Sequence, residues 1–247
     1  MNETTKRYIF AGLLFAVVLI GILRFALRPS YKLVYESRRE HPYVLQSQYP
    51  QFEKASDEFN RKIVDWVRDQ ERDFKDGAIN NWIVFKETSL PEEVKKKEKN
   101  PPYTLSIKSE VVLANRDYIS VVLRSYSFLG GANGITVMQT FNYDIKNERE
   151  MSLYAFFTQV SNYLNKLTTV ARAQLKNQLE AQNCFVEQMF LDGTYADPYT
   201  FRNFSFNTYQ LRIHFARYQV APGACGEQQV VFPLTLTPDG PRTTIPK

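Results

Sequence analysis

The sequence predicts an α+β protein: an N-terminal transmembrane helix followed by a mixed domain with a mainly antiparallel sheet and two main amphipathic helices. Three observations carry this prediction. Residues 8–27 read YIFAGLLFAVVLIGILRFAL, an apolar run interrupted by one charge, Arg24. Two later stretches repeat apolar residues at steps of three and four, the period of a helix face. The segments around them alternate polar and apolar residues in blocks, which favours hairpins over strand-helix-strand units. Of the 247 residues 44% are hydrophobic, with 18 Phe and 15 Tyr, which excludes a disordered or collagenous chain.

Taken in order, the chain divides into a short N-terminal tail (1–7), an anchor (8–28) and one large domain (29–247). The apolar run spans about 30 Å as a helix, one hydrocarbon thickness. Arg24 lies one turn from its end and can snorkel to the headgroups. A cleaved signal peptide is the competing reading, and RFALRPS offers no small-x-small cleavage pattern. Residues 31–49, containing His41-Pro42, read as one irregular or edge strand that Tyr49-Pro50 interrupts. Phe52, Ala55, Phe59, Ile63, Trp66, Val67 and Phe74 then mark an amphipathic helix ending near Gly77. The EEVKKKEK run at 92–99 reads as a solvated loop or frayed helix.

A meander follows. Leu105, Ile107, Val111 and Leu113 mark its first strand, Asn115-Arg116-Asp117 a tight turn, and residues 118–128 and 135–143 two further strands. Leu129-Gly130-Gly131-Ala132-Asn133-Gly134 joins the last two. Val160, Tyr163, Leu164, Leu167, Val170, Ala171, Leu175 and Leu179 give the second long helix, and 186–191 a short one stopped by Asp192-Gly193. Strands at 211–219 and 229–236 close the domain.

The net charge of +5 invites a nucleic-acid reading that its distribution removes. Lys6, Arg7, Arg24 and Arg28 stand against one acid, Glu3, in the first 28 residues, leaving 27 basic and 25 acidic residues beyond them. His41 and His214 are too far apart in sequence for a zinc pattern, and His214 reads as a surface or satisfied sheet histidine. No GxSxG, Walker loop, GxGxxG or CxxC occurs. No catalytic residue, metal ligand or cofactor is therefore assigned. Cys184 and Cys225 form an even pair that reads as one disulfide, with two buried free thiols as the alternative.

Three segments together carry a family resemblance. They are Tyr49-Pro50-Gln51-Phe52 leading into a helix with Asn60 and Ile63; the Gly130–Gly134 loop followed by Phe141-Asn142-Tyr143-Asp144 and Met151-Ser152-Leu153-Tyr154-Ala155-Phe156-Phe157; and Phe215-Ala216-Arg217-Tyr218-Gln219-Val220-Ala221-Pro222-Gly223-Ala224-Cys225-Gly226. This resembles the extracytoplasmic domain of unknown function shared by PdaC-type peptidoglycan deacetylases and RsiV-type lysozyme-sensing anti-sigma factors. Asn133 stands where that family commonly has His, and Gly223 where an aromatic is usual. The resemblance implies an isolated, membrane-tethered ectodomain at the cell surface or in the periplasm.

The function expected is a non-catalytic, membrane-anchored envelope domain that binds a protein, lysozyme among the candidates, or a cell-wall glycan. Near-neutral residues 29–247 argue against electrostatically steered binding of a basic lysozyme. The binding residues expected are Tyr126, Phe128, Gly130, Gly131, Asn133, Gly134 and Tyr218, where aromatic faces flank a loop whose backbone a partner can approach. The alternatives are an enzyme acting on cell-wall polymer through carboxylates that only the fold brings together, and a structural subunit of an envelope assembly.

Overall fold

The computed structural model describes residues 30–87, 103–237 and 239–243. The span expected at 8–28 and the charged run at 92–99 lie outside these residues. Among the described residues no helix is long and apolar enough to cross a membrane.

The described residues build two sheets rather than one. The first runs in the order β1 (Tyr31–Glu40), β2 (Tyr43–Phe52), β3 (Tyr103–Ala114), β4 (Tyr118–Phe128), β5 (Ile135–Asp144) and β6 (Arg149–Glu150). The second has β7 (Phe204–Phe206), β8 (Gln210–Phe215), β9 (Gln228–Thr237) and β10 (Gly240–Thr243), with β7 and β10 at its edges. Among the described residues three α-helices accompany them: α1 (Asp57–Glu87), α2 (Tyr163–Ala181) and the short α3 (Glu187–Gly193). Every pairing is antiparallel except β2 with β3, where α1 carries the chain back before β3 begins.

Three details depart from the sequence reading. The single strand expected at 31–49 is a hairpin, turned at a cis His41-Pro42 bond. Pro50 does not end it. It pairs opposite Leu33 in β2, past the last β2–β3 pair at Ser47↔Ile107, where one side of the strand has no ladder to lose. Nor does the first helix stop at Gly77; it continues to Glu87, and Leu129 from the β4–β5 loop packs against the bare Cα of Gly77.

Helix α1 is set by its sequence at both ends and on one face. The Ser56 hydroxyl accepts the Phe59 N–H at 3.2 Å, Asp57 and Glu58 occupy the first turn and Lys86 the last. Phe59, Ile63, Val67, Phe74 and Ala78 pack one face into a core with Leu105, Ile107, Ile119, Val121 and Leu123. The same face buries Glu71, which accepts hydrogen bonds from Ser47 Oγ at 3.0 Å and Arg68 Nη1 at 2.8 Å. Arg68 also forks onto Glu36 at 2.8 and 2.5 Å and holds that carboxyl down at about 2, against the opposing effect of burial.

A second, separate core forms around α2. Leu167, Ala171, Leu175 and Leu179 meet Phe204, Phe206, Leu211, Ile213, Phe215, Val230 and Phe232. The two halves meet along a polar seam. Strand β7 presents its free edge to the first sheet, where Thr140 Oγ1 accepts the Phe204 N–H (3.1 Å) and Ser120 Oγ the Phe206 N–H (3.0 Å). Asn142 Nδ2 donates to the Phe204 carbonyl at 2.8 Å, and its Oδ1 accepts from Ser120 at 2.7 Å. An edge that would otherwise bury unpaired backbone is thus paired by side chains.

Candidate functional site

Alternation along β4 sends Ile119, Val121 and Leu123 into the first core and turns Ser120, Arg124 and Tyr126 toward the other half. Tyr126 is 44% exposed, and its ring lies over Gly134, where a Cβ would stand 2.4 Å from the ring. Only glycine permits that approach. Gly130 and Gly131 turn the chain at the loop tip with φ of 92° and 89°, and Asn133 is exposed beside them. Phe128 is half-buried opposite Thr104 at the base of the loop.

Tyr218 belongs to the other half. Its backbone is in the left-handed region (φ 71°), a strained conformation for an aromatic residue, and its side chain is 61% exposed. The ring covers Gly223 so closely that a Cβ there would stand 2.0 Å from it. A side chain at 223 would require the Tyr218 ring to move aside. Arg217 links the two loops: its Nε donates to the Gly223 carbonyl at 2.6 Å and its Nη1 donates to the Gly134 carbonyl at 3.2 Å. Of the residues expected from sequence, Gly134, under the Tyr126 ring, is tied through Arg217 to the loop bearing Tyr218, while Phe128, Gly130, Gly131 and Asn133 occupy the rest of the hairpin end.

Two further ties hold this surface. Arg124 Nε donates to Glu227 at 2.8 Å across the halves, and Cys184 is bridged to Cys225 with Cα atoms 6.1 Å apart. The disulfide expected from the even cysteine pair is present. Sequence reasoning missed Arg217, Arg124 and Glu227. Arg217 sits next to Tyr218 in a quoted motif, yet one of its two carbonyl partners, Gly134, lies on a loop that only the fold brings near.

Beneath the surface His214 is buried, 5% exposed, and its Nε2 lies 2.8 Å from Ser205 Oγ. It is a satisfied sheet histidine, in the interior rather than at the surface. Burial pushes its pKa down to about 4, and the Arg124 charge acts in the same direction. Ser205 is fully buried, so this pair offers no exposed nucleophile. Among the described residues no group of three or more His, Cys, Asp or Glu could hold a metal ion. A cleft of about 310 Å³ beside the seam has one carboxylate in its lining, Glu150, which is ion-paired to Lys62. It lacks the pair of acids that glycoside cleavage through two carboxylates requires.

Comparison with known proteins follows the two-core division. Residues 37–136 match the family described as deacetylase PdaC, and residues 155–235 match the DUF3298 family, a protein family of unknown function. The chain is 29% identical over 135 residues to peptidoglycan-N-acetylmuramic acid deacetylase PdaC of Bacillus subtilis, covering 55% of this chain and 28% of that protein. It is 25% identical over 119 residues to Esterase Rv3036c of Mycobacterium tuberculosis, covering 48% and 50%. The matches thus span from about a quarter to half the length of these relatives. Among solved structures, a DUF3298 family member from Bacteroides fragilis superposes with a TM-score of 0.55 at 16% identity, covering 83% of this chain and 92% of that one. One from Pseudomonas aeruginosa does so with 0.50 at 14%, covering 83% and 91%, and both show the shared fold. The PdaC match over the first core and the DUF3298 match over the second place this chain with the proteins that carry the domain shared by PdaC-type proteins.

Proposed function

We propose that residues 29–247 form a membrane-tethered, extracytoplasmic envelope domain that binds cell-wall glycan, without catalysis, at the surface made by Tyr126, Gly134, Arg217 and Tyr218. One observation carries the reading. Two exposed tyrosines from opposite halves, one on strained backbone, each cover a glycine whose carbonyl is bound by the same arginine, Arg217. Exposed ring faces next to backbone that a ligand can approach suit stacking on sugars, and the peptidoglycan deacetylase among the relatives supports a cell-wall ligand. The anchor reading of residues 8–28 supplies the tether.

The test is cosedimentation of the full-length chain with purified sacculi, together with protease shaving of intact cells. Tyr126→Ala and Tyr218→Ala are each expected to weaken sacculus binding by about tenfold, the usual effect of truncating a central aromatic contact. Binding that is unchanged in both variants, or a domain shielded from protease in intact cells, overturns the reading.

A further inference from the structure

The cleft of about 310 Å³ lies away from the tyrosine surface, between β5, the turn Leu153–Phe156, the start of α2 and the segment before β7. Its floor is apolar, with Leu153 and Phe204 buried beneath it. Its rim is a set of polar groups with unused capacity. Arg202 stacks its guanidinium 3.8 Å from the Tyr199 ring centre and donates one N–H to the Tyr199 carbonyl at 2.9 Å. That orients the fork and leaves its other N–H groups without a partner among the described residues. Glu150 uses Oε1 for Lys62, which it shares with Glu58, leaving Oε2 as an acceptor. Ser152 begins the Leu153–Phe156 turn without making the side-chain cap bond its position allows, so its hydroxyl is free. Tyr154 and Tyr163 both line the cleft, with ring centres 5.6 Å apart and planes tilted by 59°.

We propose that this cleft binds a pyranose carrying one anionic group. The two tyrosine rings and the apolar floor pack against the sugar ring, Ser152 and Glu150 Oε2 take its hydroxyls, and the stacked Arg202 takes the anion. Asn142, also in the lining, has its amide engaged at both ends by the seam and serves as wall. Arg202 is the basic group of the lining, and its free N–H groups give an anion a forked partner that a neutral sugar cannot use as well, which selects anionic over neutral sugars. The shared chemistry admits a carboxylate or a phosphate. The site rests on the glycan reading above only for the choice of sugars as ligands.

The full-length chain is titrated by NMR with D-glucuronate, D-glucose 6-phosphate and D-glucose. One anionic sugar is expected to bind at least about tenfold more tightly than glucose, and which one it is identifies the anion. Arg202→Gln removes that advantage, Arg202→Lys retains part of it, and Tyr154→Ala weakens all three sugars. Both side chains are exposed, so circular dichroism of each variant should match the parent. Equal affinity for charged and neutral sugars, an advantage that survives Arg202→Gln, or no binding of any of the three overturns the proposal. Tyr126→Ala leaves this discrimination intact. Loss of the Arg202 effect therefore counts against this cleft, whereas a missing Tyr126 effect on sacculus binding counts against the earlier reading.

Discussion

At the scale of single residues, Tyr218 holds a backbone conformation that costs about 1–2 kcal/mol for a residue with a Cβ. The backbone is kept there because Arg217 and the contact of the ring with Gly223 fix the loop on both sides. Tyr218→Gly removes that strain along with the ring. It is expected to lose sacculus binding as fully as Tyr218→Ala while unfolding at a urea concentration no lower than that of Tyr218→Ala; a lower midpoint for the glycine variant disproves the strain. His214 makes a prediction about acid. Its folded pKa of about 4 lies below the usual value of 6.5, so the folded state resists a proton that the unfolded chain accepts. Stability is therefore retained above pH 6.5 and falls as pH drops toward 4, by about 2 kcal/mol between pH 7 and 5 for this group. Comparing chemical denaturation at the two pH values in the parent and in His214→Gln checks this, since the variant should lose most of that pH dependence. Glu36, held low by Arg68, titrates below this window and does not confuse the measurement.

At the scale of elements, the periodic helices were legible because each has one apolar face: α2 was expected from the spacing of Leu167, Ala171, Leu175 and Leu179, and those residues are its buried face. Element ends were less legible where a neighbour decided them. Gly77 is a helix stop by local preference, yet Leu129 packs over it and the helix runs on. Strand β7, only Phe204–Phe206, has too little sequence for a period and exists because β8 pairs on one side and Thr140, Ser120 and Asn142 satisfy the other. The disulfide ties the end of α2 to the loop bearing Tyr218. Replacing Cys184 and Cys225 together by serine is expected to lower stability by about 4 kcal/mol on the chain-entropy account of a loop of this length. It should also weaken sacculus binding, because Gly223 and Tyr218 lie in the loop that the bridge closes. Equal denaturation midpoints for parent and double variant contradict the first expectation.

At the scale of the whole molecule, two cores are joined by a seam of hydrogen bonds, with Leu113 and Tyr118 of the first sheet packing against the second core beside it. Asn142 is its pivot, donating to the second half and accepting within the first. Asn142→Ala leaves the Phe204 carbonyl and the Ser120 hydroxyl buried without these partners and is expected to cost about 2–4 kcal/mol. Because the seam lies between cores that each have their own apolar packing, the halves should then separate in two denaturation steps where the parent shows one. A single unshifted transition rules that role out. The sequence by itself determined the α+β class, the long helices, the central meander, the kinship with PdaC-type proteins and the residue types at the glycine hairpin, because each of these is written in local spacing or in contiguous motifs. Only the tertiary structure decided that the strands make two sheets, that Arg217 and Arg124 join the halves, and that the hairpin meets Tyr218. Those contacts link residues 83 and 103 positions apart, and no local period encodes a partner at that distance.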